Sequence, residues 1–98
     1  MSEELEKVVG ELKKKYPELK IALTNVLLSA HYMEDNARWC KLGRMLDNAI
    51  NLGTDIGNIT EEISPEETKA LVEAKDKFLK EVCGMLVEKC GCKIAREV

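Results

Sequence analysis

The sequence predicts an all-α fold, a small bundle of three or four helices forming one domain over residues 1–98. Apolar residues recur with a period of 3.6 in several segments, as in amphipathic helices. Aromatic residues make up 4% of the chain and charged residues 34%, which suits aliphatic helix packing beneath a solvated surface. An α/β fold with a strand near residues 20–27 is the alternative, because Ile21, Thr24 and Val26 are β-branched.

The first helix is predicted from a single apolar stripe and from its charged ends. Ser2 is its candidate N-cap, and Lys13 to Lys15 lie where a helix dipole favours positive charge. Pro17 disfavours helical geometry at Tyr16, so the chain is expected to turn there. The stripe consists of Leu5, Val8, Val9, Leu12 and Tyr16.

A second helix is expected to start at Pro17, which suits a first helical position. A turn near Asp35 or Asn36 is preferred to one helix of about 35 residues, because uncapped helices of that length are rare in small domains. A third helix follows, and Gly53 is its expected end. The second helix's apolar face is Leu19, Ala22, Leu23, Val26, Leu27, Ala30 and Met33; the third's is Leu42, Leu46, Ala49 and Ile50.

The last helix has the strongest start signal in the chain and is predicted to cover about residues 64–90. It follows a loop over residues 53–63. Ser64 is the N-cap, Pro65 the first helical residue and Glu67 the acidic member of a capping box. Its broad apolar face comprises Leu71, Val72, Ala74, Phe78, Leu79, Val82, Cys83, Leu86 and Cys90.

Three of the four cysteines lie close together near the C-terminus. Cys83 and Cys90 are seven positions apart, or about 10.5 Å along a helix, so they cannot form a disulfide or share a zinc ion. We interpret the cysteines as small apolar packing residues. Gly91 would end the helix in a left-handed conformation, and Cys92 would fold back against its last turn.

Two alternatives for the cysteines stay open. One is a disulfide between Cys40 and a C-terminal cysteine, which in an intracellular protein is typical of a heat-adapted organism. The other is a zinc site formed by Cys40, Cys90, Cys92 and His31, which requires a turn near Asp35 to bring His31 back.

Composition argues against several classes of function. A net charge of −3, with Lys13 to Lys15 as the one basic run, disfavours binding to nucleic-acid phosphates. Neither a signal peptide nor a stretch of about 18 apolar residues is apparent, so we expect no membrane partner and a cytoplasmic location. The serines lie in no nucleophile motif, and we expect no catalytic activity.

We therefore predict a protein-interaction or assembly module that binds a second copy of itself or another helical protein. A cysteine-based metal or redox sensor, with zinc as cofactor, is the first alternative. A helical DNA-binding regulator within residues 18–52 is the second. The Lys- and Glu-rich composition suggests a thermophilic source. The expected interface anchors are Trp39, Phe78, Leu79, Val82 and Leu86.

Overall fold

The computed structural model describes the backbone of residues 3–97 and the side chains of residues 3–91. This part of the chain forms helices and no strand, so the all-α prediction is confirmed. The strand near residues 20–27 is wrong, because a helical repeat of buried residues there outweighs β-branching. The elements are α1 (Glu3–Lys15), a 3₁₀ helix (Pro17–Leu19), α2 (Lys20–Arg38), α3 (Leu42–Thr60) and α4 (Pro65–Glu97).

The helices form an elongated bundle, 44 Å long and 18 by 17 Å across, in which α1 covers only part of α4. Two ion pairs show that α1 and α4 are antiparallel: Lys15 with Glu67 at 3.0 Å, and Glu4 with Lys77 at 2.9 Å. We call the part where α1 packs against residues 65–78 the four-helix half. The three-helix half is the part beyond α1, where residues 82–90 of α4 pack with α2 and α3.

The predicted first helix is confirmed, and its stripe contributes Leu5, Val9 and Leu12 to the core. The chain leaves helical geometry at Tyr16, as Pro17 predicts, but the proline opens a 3₁₀ turn rather than α2 itself. The other buried core residues are Leu23, Val26, Ala30, Met33, Ala37, Met45, Leu52, Ile56, Ile59, Leu71, Ala74, Phe78, Val82, Leu86 and Cys90.

The turn between α2 and α3 lies a few residues later than predicted. The helix continues past Asp35, and the chain reverses through Trp39 to Lys41. Cys40 adopts a left-handed conformation with φ of 59°, which costs about 1–2 kcal/mol in a residue with a β-carbon. The N–H of Lys41 then donates to the carbonyl oxygen of Asn36 at 2.8 Å and closes the turn.

The predicted end of the third helix and the loop over residues 53–63 are wrong. Gly53 keeps right-handed helical geometry, and α3 continues to Thr60. This extension buries Ile56 and Ile59, whereas two residues assigned to the apolar face, Leu46 and Ile50, are exposed. Glycine ends a helix only where the chain turns left-handed after it, and here the next turn of the helix has apolar residues to bury.

The start of α4 agrees with the predicted capping box. The N–H of Glu67 donates to Ser64 Oγ at 3.2 Å, and the N–H of Ser64 donates to Glu67 Oε1 at 3.0 Å. Its predicted end is wrong, because the helix passes through Gly91 and continues to Glu97. The predicted roles of Ser2 as a cap and of the Cys92 side chain concern atoms outside the described residues.

Candidate functional site: the cysteines and the outer face of α2

Cys40 and Cys90 form a disulfide, with their Cα atoms 5.7 Å apart and 50 positions between them in sequence. A disulfide between Cys40 and a C-terminal cysteine was one of the two alternatives in the sequence analysis. The preferred interpretation, that these two cysteines only fill space in the core, is wrong. Cys90 is buried on α4 and Cys40 is half-buried in the turn after α2. The Cys90 sulfur also lies 3.6 Å from the carbonyl oxygen of Ala37, so the turn and α4 are in direct contact.

The four residues proposed for zinc do not come together among the described side chains. His31 projects from a continuous part of α2, and its Nε2 pairs with Asp35 Oδ2 at 3.4 Å, one helical turn away. The sulfurs of Cys40 and Cys90 are bonded to each other, so neither is available as a thiolate ligand. Residues 3–91 contain no cluster of three or more potential metal ligands. Zinc binding stays a prediction that this arrangement does not favour.

Cys83 is exposed and unpaired, which corrects its assignment to the packing face of the last helix. The buried residues of α4 follow one another at intervals of three or four positions and include Val82, Leu86 and Cys90. Cys83 follows Val82 directly and is therefore turned about 100° away from these residues.

Most of the predicted interface anchors pack inside the chain itself. Phe78, Val82 and Leu86 are buried, and Leu79 is half-buried against the core. The broad apolar face of α4 is covered because the other helices of the bundle pack on it. Trp39 differs from these four, since 69% of its surface is exposed.

An apolar surface that the sequence analysis missed runs along the outer side of α2. Ile21 is 80% exposed, Leu28 45% and Tyr32 53%, and Trp39 lies directly after the helix. At 100° per residue these four side chains fall within about 20° of one direction. That direction is opposite to the buried line of α2, so this face turns away from the core. We call these four residues the α2 stripe.

Three members of the α2 stripe, Ile21, Leu28 and Tyr32, lie in the least charged part of the sequence. No Asp, Glu, Lys or Arg occurs from residue 21 to residue 33, although such residues make up 34% of the chain. The nearest charged positions are Lys20 and Glu34. The spacing of Ile21, Leu28 and Tyr32 was readable in the sequence, but the wider apolar face of the same helix obscured it.

A polar cluster ties the end of α1 to the start of α4, and we call it the Glu67 clamp. The Tyr16 hydroxyl donates to Glu67 Oε1 at 2.6 Å, and Lys15 Nζ lies 3.0 Å from Glu67 Oε2. The hydrogen bonds from Tyr16 and from the Ser64 N–H lower the pKa of Glu67 from 4.5 to about 2. The same contacts raise the pKa of Tyr16 and of Lys15. All members of the cluster have partners, so it is a structural clamp.

Comparison with family models, with curated proteins and with solved structures finds no match to this chain. Among the described residues, no helix is both long enough and apolar enough to cross a bilayer.

Proposed function

We propose that this chain is a small helical assembly module that self-associates through the α2 stripe. The observation that carries the proposal is a line of four large, exposed apolar side chains, three of which lie within an uncharged stretch of helix. Large apolar side chains exposed along one helix face, with polar residues around them, are typical of interaction sites in proteins. Trp and Tyr are also the residues most enriched among those that dominate binding energy.

The outer face of α1 shows what an ordinary solvated helix looks like in the same chain. Its exposed positions include Lys7, Glu11 and Lys14, all charged. Charged residues on an exposed face keep a helix hydrated and discourage association. The exposed positions of α2 between Ile21 and Tyr32 have no such residue, which supports the idea that a partner covers them.

The proposal is tested by sedimentation equilibrium over about 10–500 µM with the variant Leu28→Glu. A charge placed in the middle of the stripe must be desolvated in the complex, so we expect the dissociation constant to rise at least about tenfold. Ile50→Glu is the matched control, because Ile50 is 66% exposed, lies on α3 and is not a member of the stripe. We expect it to change the constant less than about twofold.

Helix content measured by circular dichroism shows whether both variants keep the fold of the parent chain. A parent chain that sediments as a monomer throughout the concentration range would overturn the proposal. Equal weakening by Leu28→Glu and Ile50→Glu would also overturn it, because the stripe would then not be the docking surface.

A further inference from the structure

The members of the α2 stripe are spaced symmetrically along the helix. Seven positions separate Ile21 from Leu28, four separate Leu28 from Tyr32, and seven separate Tyr32 from Trp39. The midpoint of the inner pair and the midpoint of the outer pair are both position 30, which is Ala30. Reversing the direction of the helix therefore leaves the pattern of stripe positions unchanged.

Symmetric spacing is what an antiparallel helix pair requires, because a two-fold axis perpendicular to the helices sets the pattern against its own reverse. We propose that two copies of this chain dock with their α2 helices antiparallel and the two-fold axis at the level of Ala30. Leu28 then packs against Tyr32 of the second copy. Ile21 packs against Trp39 of the second copy. This inference rests on the proposed function and specifies its geometry.

Side-chain size favours the antiparallel arrangement over a parallel one. Antiparallel docking pairs one aliphatic with one aromatic residue in each of its four layers, which keeps the two helix axes at a nearly constant separation. Parallel docking pairs Ile21 with Ile21 at one end and Trp39 with Trp39 at the other, and so forces the axes to splay. It also sets Asp35 beside Asp35, whereas antiparallel docking brings the uncharged Asn25 to that level.

The area available is enough for a specific but weak dimer. From their exposed fractions, the four stripe residues present on the order of 500 Å² per copy. A symmetric pair therefore buries about 1,000 Å², at the lower limit of specific interfaces. The stripe extends over about 27 Å of helix, so the contact is long and narrow.

Disulfide trapping distinguishes the two orientations. In a background of Cys83→Ser and Cys92→Ser, one sample carries Leu28→Cys and another carries Tyr32→Cys. The two are oxidised separately and as an equal mixture. Antiparallel docking sets position 28 opposite position 32, so we expect the mixed crosslink to exceed either self-crosslink at least about tenfold. A self-crosslink at 28 would have to span about 6 Å along the helix in addition to the gap between helices.

Leu46→Cys and Ile50→Cys form the matched control, with the same spacing of four on an exposed part of α3. We expect no crosslink between them, mixed or otherwise. Predominant self-crosslinks at 28 and at 32 would indicate parallel docking, which overturns this inference and leaves the proposed function intact. A dimer in sedimentation without any crosslink at 28 or 32 would overturn both, because another surface would then be docking.

Discussion

The two halves of the bundle are held together by different chemistry. In the four-helix half, α1 adds Leu5, Val9 and Leu12 to the core, and the Glu67 clamp joins its end to α4. The three-helix half lacks α1 and has the Cys40–Cys90 disulfide instead. The difference indicates that a covalent link supports the half with fewer packed helices, whereas burial and hydrogen bonds suffice in the other.

The contribution of the disulfide to stability depends on the length of the loop that it closes. Cys40 and Cys90 are 50 positions apart. Restricting an unfolded loop of that length is worth about 4 kcal/mol in the chain-entropy model. A single domain of this size is stable by roughly 5–15 kcal/mol, so the disulfide is a major contribution.

The largest expected effect is the loss of this disulfide. We expect the double variant Cys40→Ala and Cys90→Ala to lower the free energy of unfolding by about 3–4 kcal/mol, measured by urea denaturation. Cys83→Ala is the control and should change it by less than about 0.5 kcal/mol, because Cys83 is exposed and unpaired.

Hydrogen exchange locates that effect. Amides of residues 82–90 and of the α2–α3 turn should exchange faster in the double variant, while those of α1 keep most of their protection. An equal loss of amide protection in both halves would contradict the difference between them, since the disulfide would then stabilise the whole bundle rather than one half.

The second effect is acid destabilisation through the Glu67 clamp. The folded-state pKa of Glu67 is about 2, below its ordinary value of 4.5. Its contribution to stability is therefore fully present above pH 4.5 and is lost as the pH falls from 4.5 towards 2. We expect this contribution to be smaller than that of the disulfide, because the network is only partly buried and water competes for its charged groups.

Tyr16→Phe removes the shortest hydrogen bond to Glu67. We expect the stability of this variant to depend less on pH between 4.5 and 2 than that of the parent chain. Melting temperatures of the variant and of the parent chain, measured from pH 2 to pH 6, should differ most above pH 4.5 and converge near pH 2. A constant difference at every pH would show that the hydroxyl acts through packing and not through the charge of Glu67.

The smallest expected effect compares one glycine in each half. Gly57 of α3 and Gly84 of α4 lie within helices, and a β-carbon at either would meet open space. We expect Gly57→Ala and Gly84→Ala each to stabilise the chain by about 0.5–1 kcal/mol in thermal unfolding. A loss of stability at only one site would reveal a contact that the isolated chain does not show.

Local signals in the sequence predicted the parts of this fold that depend on neighbouring residues. The stripe of α1 and the Ser64–Glu67 capping box each lie within a few turns of helix, so spacing and residue type suffice to identify them. The left-handed turn at Cys40 gave no such signal, because it has a cysteine where a glycine is usual. The extension of α3 past Gly53 depends on packing against other helices, which no local pattern shows.

The candidate site was harder to predict than the fold. Four cysteines allow several pairings, and choosing Cys40 with Cys90 requires knowing that α4 returns to the turn after α2. The α2 stripe has the same residue types as a core face. Only the folded bundle shows that Leu23 and Val26 are buried while Ile21 and Leu28 are exposed.

The position of Trp39 gives the molecule an internal optical probe. It is the single tryptophan in the chain, it is largely exposed, and it directly precedes the disulfide-bonded Cys40. Disulfides quench indole fluorescence at short range, and burial of an indole shifts its emission to shorter wavelength. The intensity of this one fluorophore therefore reports the oxidation state of the turn, and its emission maximum reports whether the end of the α2 stripe is covered.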